Sequence, residues 1–173
     1  MYFTREEIIK DLAERYYKFL MTLPFDDALY MKGIGEGKRK FLANLHIHLA
    51  TRGLPIKRKL YSTDFITPDA LEKLVKKDIK GLEYEHLIPK GKYINDVCEH
   101  KARNGKLTKD FIIDLLEKYL WTATVTEEEH KKLKQTSMPL EWDGFNIKAR
   151  YELAGIPLLV HEKGSIIRNE GGE

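Results

Sequence analysis

The sequence predicts an α+β fold that is mainly helical and carries a short C-terminal hairpin. Three observations predict it. Apolar residues recur at helical spacing behind good N-caps over most of the chain. Strand-prone runs occur at Leu82–Ile88 and Trp121–Val125. Leu158–His161 and Ser165–Arg168 flank Lys163-Gly164 in the manner of a hairpin.

Thr4-Arg5-Glu6-Glu7 is a capping box, with Thr4 at the N-cap and Glu7 three residues on. Ile8, Leu12, Tyr16, Phe19 and Leu20 then form an apolar stripe, and Pro24 marks the end of this first helix. A second short element covers Asp26–Met31. The glycine-rich turn from Gly33 to Gly37 leads into a helix bearing Phe41, Leu42, Leu45 and Leu49, stopped by Gly53 and Pro55. Its spacing does not match a P-loop, which needs four residues between its first glycine and the Gly-Lys-Ser/Thr ending. Gly33-Ile34-Gly35 resembles the centre of a helix-hairpin-helix turn, and a plain helix start is the simpler reading. Thr67 and Pro68 open the next helix, with Leu71, Leu74 and Val75 on its apolar side and Gly81 as its stop. Leu82–Ile88 is a strand broken by Pro89. Tyr93–Lys101 and Lys109–Tyr119 are helices, the latter capped by Thr108. Trp121–Val125 is a strand. Thr126–Glu129 is a second capping box, opening a helix that runs to Gln135. Pro139–Phe145 is irregular, and Ile147–Ala154 is a short helix ended by Gly155.

With 173 residues the chain suits one domain, divided into a helical N-terminal region (1–80) and a second region (81–173). The single cysteine, Cys98, rules out an internal disulfide and any multi-cysteine zinc site. Acids near the N-terminus and the lack of a long apolar run argue against a signal peptide and against membrane insertion. A cytoplasmic protein is expected. The segment Lys32–Lys59 holds eight basic residues and one acid, so it carries +7 in a chain whose net charge is only +3. Its clusters Lys38-Arg39-Lys40 and Lys57-Arg58-Lys59 are candidates for contacting a polyanion such as nucleic acid.

The stretch Glu85-His86-Leu87-Ile88-Pro89-Lys90 places an acid and a histidine at the end of a strand. His130 follows 44 positions after His86, in the helix opened by the second capping box. A carboxylate suits a hard divalent ion, and an imidazole can accept a proton from water. Strand, connection, strand, helix is the order of a ββα metal site. In a regular strand, however, Glu85 and His86 point to opposite faces, so a shared site needs distortion near Pro89.

The stretch from Tyr84 to Tyr151, roughly two fifths of the chain, resembles the HNH endonucleases, the ββα-metal nucleases. Glu85-His86-Leu87-Ile88-Pro89 is similar to their first-strand motif, and Val125–His130 to a later helical motif of a phage- and bacterium-encoded subgroup. Met138-Pro139, Trp142 and Ala149-Arg150-Tyr151 resemble the end of that pattern. The resemblance implies a metal-dependent endonuclease acting on DNA. It implies His86 as general base, and Glu85 and His130 as ligands of one divalent metal, magnesium or manganese. Asn95 and Asn104 both fall in the interval of the family's middle asparagine, and Asn104 is assigned to it. Lys90 and Arg150 are assigned to phosphate charge. A homodimer would suit double-strand cleavage. Two other classes remain: a non-catalytic nucleic-acid-binding protein on the same scaffold, and a helical protein-interaction module.

Overall fold

A computed structural model of the chain describes residues 3–163. Helix α1 (Arg5–Met21) starts at the expected capping box. The Glu7 amide donates to Thr4 Oγ1 at 3.2 Å, and the Thr4 amide donates to Glu7 Oε2 at 2.8 Å. Its apolar stripe (Ile9, Leu12, Ala13, Tyr16, Leu20) is buried. It packs with α3 (Gly37–Thr51), α5 (Asp96–Arg103) and α6 (Lys109–Tyr119) around Leu42, Leu49, Ile94, Cys98, Ile112 and Leu116. Burying each such Leu or Ile contributes about 1.5–3 kcal/mol. Between α1 and α3, Asp27 caps a short helix, α2 (Ala28–Ile34), which buries none of its side chains. Gly35, at φ 53°, turns the chain from α2 into α3.

The sheet has four strands in the order β2-β3-β1-β4. These are β1 (Phe65–Ile66), β2 (Leu82–His86), β3 (Thr122–Thr126) and β4 (Leu159–Val160). β3 is antiparallel to β2 and parallel to β1, and β4 is antiparallel to β1. One face, with Phe65, Ala123 and Val125, packs against Leu133, Tyr151 and Ile156. These come from the segments around α7 (Glu127–Lys132) and α8 (Ala149–Ala154). The opposite face, with Ile66 and Leu82, packs against Ala70 and Leu74 of α4 (Pro68–Val75) and against Leu60 and Tyr61. β3 runs straight into α7 through the second capping box. The expected strand–connection–strand–helix order is therefore present, with α5 and α6 in the connection.

Several expectations are corrected. The boundary near residue 80 does not separate two units. The helical core combines residues 9–49 with residues 94–120, and the sheet takes β1 from the first half. Helix α4 ends at Val75, well before Gly81, because Lys77 adopts a left-handed backbone at φ 56°. Helix α7 ends at Lys132 rather than Gln135. The first arm of the C-terminal hairpin exists as β4 but pairs with β1, and the second arm lies outside the described residues. Among the described residues no helix is long and apolar enough to cross a membrane.

Candidate active site at the end of strand β2

The fold brings Glu85 and His130 together across 45 positions, with Glu85 Oε1 and His130 Nδ1 2.5 Å apart. β2 pairs with β3 in the register Glu85↔Ala123, which aims Glu85 at the side where α7 lies. α7 follows β3 without a linker, so its first turns sit over that side chain. The capping box fixes the helix start. Thr126 Oγ1 accepts from the Glu129 amide, and Glu129 Oε2 accepts from the Thr126 amide and from the Thr67 hydroxyl at 2.7 Å. Glu85 is buried, with 6% exposure. Burial raises its proton affinity above the ordinary carboxylate value, against the opposing charges of Arg150 and His130.

His86 lies on the other face of β2. Its partner in the ladder is Thr122, and the strand is regular up to this residue. Its ring meets the Tyr84 ring edge-on at 5.5 Å, as expected for side chains two apart on one face. The strand carries no distortion that would place His86 beside the Glu85–His130 pair. The residue keeps some exposure, yet Nε2 is enclosed and has no hydrogen-bond partner. Burial lowers its pKa to about 3, with smaller contributions from His46, Lys90, Arg150 and Lys59. The ring is therefore neutral at physiological pH. It is free to accept a proton, but its affinity for one is weak.

Arg150 departs from its expected role. It is 4% exposed. Its Nε donates to the Leu87 carbonyl at 3.0 Å, Nη1 donates to the Lys134 carbonyl, and Nη2 donates to the His86 carbonyl. Nη2 also lies 3.5 Å from Glu85 Oε2. This guanidinium ties the exit of β2 to the segments around α7 and α8, and most of its donors are already used.

The middle asparagine is also corrected. Asn104 caps α5 at the surface and bonds only within that helix end, to the His100 carbonyl and ring. Asn95, in contrast, is fully buried in the wide helical turn Gly91–Asn95. It donates to the Tyr16 hydroxyl at 2.9 Å and accepts from Lys90 Nζ at 2.9 Å. Neither asparagine bonds to His86. Lys90 also donates to the Arg39 carbonyl at 3.1 Å. Burial and Arg39 lower its pKa to about 8, against Glu99.

The basic segment is split. Lys38 pairs with buried Glu99 at 2.7 Å and Arg39 with Asp96 at 2.6 Å, while Lys40 lies 3.9 Å from Glu36. These cations are balanced within the molecule. Lys57, Arg58 and Lys59 are exposed, and Lys59 lies over the Tyr84 ring. They form no ion pair among the described residues.

Sequence reasoning missed two groups. Tyr151 is buried with its hydroxyl unpartnered, and it senses the charges of Glu85, Arg150 and Glu129. Behind β2, His46 has an enclosed, unpartnered Nδ1 and a pKa lowered to about 4, chiefly by burial. His46 interacts with Asp64, which accepts from the Thr122 amide and hydroxyl. A histidine amid the apolar stripe of α3 is the one signal that marked His46.

Glu85 and His130 suit a hard divalent ion completed by water and substrate oxygens. Their 2.5 Å contact leaves the two donor atoms side by side, where an ion would replace a shared proton. Among the described residues no group of three or more His, Cys, Asp or Glu is arranged to hold a metal. A closed structural zinc site does not fit this donor set. Comparison with known proteins yields no match to a family model, to a curated protein or to a solved structure.

Proposed function

We propose that this chain hydrolyses nucleic-acid phosphodiesters, with DNA as the substrate, using a divalent ion held by Glu85 and His130. The observation that carries the reading is the Glu85–His130 contact, built by a strand–strand–helix unit. A divalent ion at this pair, magnesium or manganese, would stabilise charge on the leaving oxygen. Arg150 holds the second oxygen of Glu85 and so fixes the carboxylate's orientation. β2 is an edge strand, so a backbone lying along its open edge has Glu85 on one side and His86 on the other. His86 is not the base in this reading, because its ring lies on the opposite face of β2 with Nε2 enclosed. The exposed Lys57-Arg58-Lys59 cluster supplies long-range attraction.

One observation favours a second reading. The enclosed Nε2 of His86, on the face opposite Glu85, suits a non-catalytic nucleic-acid-binding protein that keeps the scaffold.

The test is nicking of supercoiled plasmid with magnesium or manganese, with EDTA, Glu85→Gln, His130→Ala and His86→Ala as controls. Metal-dependent nicking lost in Glu85→Gln and His130→Ala, and kept in His86→Ala, is expected. Nicking that survives in Glu85→Gln and His130→Ala would overturn the reading. Salt-sensitive binding without cleavage would select the non-catalytic alternative.

A further inference from the structure

A second feature adjoins this centre. The loop after α7 and the side of α8 enclose a pocket of about 150 Å³. Its lining includes Lys132, Lys134, Ser137, Pro139, Arg150 and Leu153, and no acid. The neighbouring Lys131 pairs with Glu127 and Glu128. Lys132 and Lys134 are exposed and form no ion pair among the described residues. Arg150 also lines the wall, but its guanidinium is committed to the Leu87, Lys134 and His86 carbonyls and to Glu85, so the free cations here, among the described residues, are Lys132 and Lys134. Pro139 and Leu153 add apolar surface to the lining, and Leu153 is 79% exposed.

We propose that this pocket takes one nucleotide unit of a nucleic-acid strand. The phosphate sits among Lys132, Lys134 and Ser137, and the sugar and base lie against Pro139 and Leu153. A phosphate group calls for converging cations and a hydroxyl donor, which Ser137 supplies. An apolar wall beside them matches the less polar part of a nucleotide and gives free inorganic phosphate nothing to contact. Few groups here can read a base edge, so the subsite is tolerant of sequence. Arg150 joins the pocket wall to Glu85, which places the subsite next to the proposed metal centre. The link to cleavage rests on the proposed function, whereas the nucleotide subsite itself does not.

The test titrates thymidine 3′,5′-bisphosphate and inorganic phosphate into the full chain in EDTA, followed by amide chemical shifts. Saturable shifts centred on residues 132–139 and 149–154 are expected. The bisphosphate binds more tightly than inorganic phosphate. The double variant Lys132→Ala/Lys134→Ala weakens it by about tenfold, and added salt weakens it further. Shifts elsewhere, or unchanged affinity in the double variant, would overturn the subsite. Equal affinity for inorganic phosphate, or tighter binding of an acidic peptide at the same residues, would overturn its assignment to a nucleotide. Plasmid nicking separates the two proposals. Nucleotide binding without nicking sinks the nuclease and leaves the subsite standing. Nicking with an unchanged KM in the double variant sinks the subsite and leaves the nuclease standing.

Discussion

At the scale of single residues, neighbours in sequence differ sharply in surroundings. Glu85 and His86 are adjacent, yet one joins His130 and Arg150 while the other joins Tyr84 behind the sheet. Arg150 serves both by bonding the carbonyls at the strand exit. Replacing it by Met leaves Glu85 with His130 as its partner and frees buried carbonyls. A loss of roughly 3 kcal/mol or more is expected in urea unfolding. Asn95→Ala removes the partner of buried Tyr16 and half-buried Lys90, and costs about 1–3 kcal/mol. Asn104→Ala, at an exposed helix end, stays within about 0.5 kcal/mol in the same assay. Activity that falls in Asn104→Ala at unchanged stability would contradict this placement. That Glu85 and His130 would lie together was legible because a motif names residue types in order. Asn95 and Arg150 were not, because burial and carbonyl partners depend on long-range packing that no short pattern records.

At the scale of elements, local chemistry was highly legible. Both capping boxes form as read, and α6 spans Lys109–Tyr119 as expected. Caps and apolar spacing act within a few residues, so sequence alone can show them. β1 was not legible: two residues show no alternation, and their pairing with β3 and β4 joins distant segments. The end of α4 was misplaced because a left-handed lysine stopped it instead of a glycine. The capping box of α7 has a functional consequence. Thr126→Ala removes the acceptor for the Glu129 amide at the helix start that positions His130. We expect a cost of about 1 kcal/mol in unfolding, together with weaker metal-induced stabilisation. An unchanged metal response would show that α7 does not depend on this cap to present His130.

At the scale of the whole molecule, the helical core and the sheet each draw on both halves of the chain, which is why a boundary near residue 80 was misleading. Between them lie His46, His86 and His161, all held below the ordinary imidazole pKa of 6.5 by burial. An imidazole with a depressed folded-state pKa favours the folded state at pH above 6.5. That contribution is lost as pH falls from 6.5 towards 4. For His161, lowered to about 4, the effect is on the order of 3 kcal/mol. Denaturation midpoints should therefore fall steadily over this range, and His161→Asn should make the dependence shallower. A flat profile between pH 6.5 and 4 would contradict the burial of these rings.

The central proposal is that Glu85 and His130 form a single divalent-ion centre. The most direct measurement is calorimetric titration of manganese into the wild-type chain, Glu85→Gln and His130→Ala. One saturable site is expected in the wild type, tighter at higher pH because both donors must be free of protons, and lost in each variant. Equal manganese binding in all three proteins would contradict it.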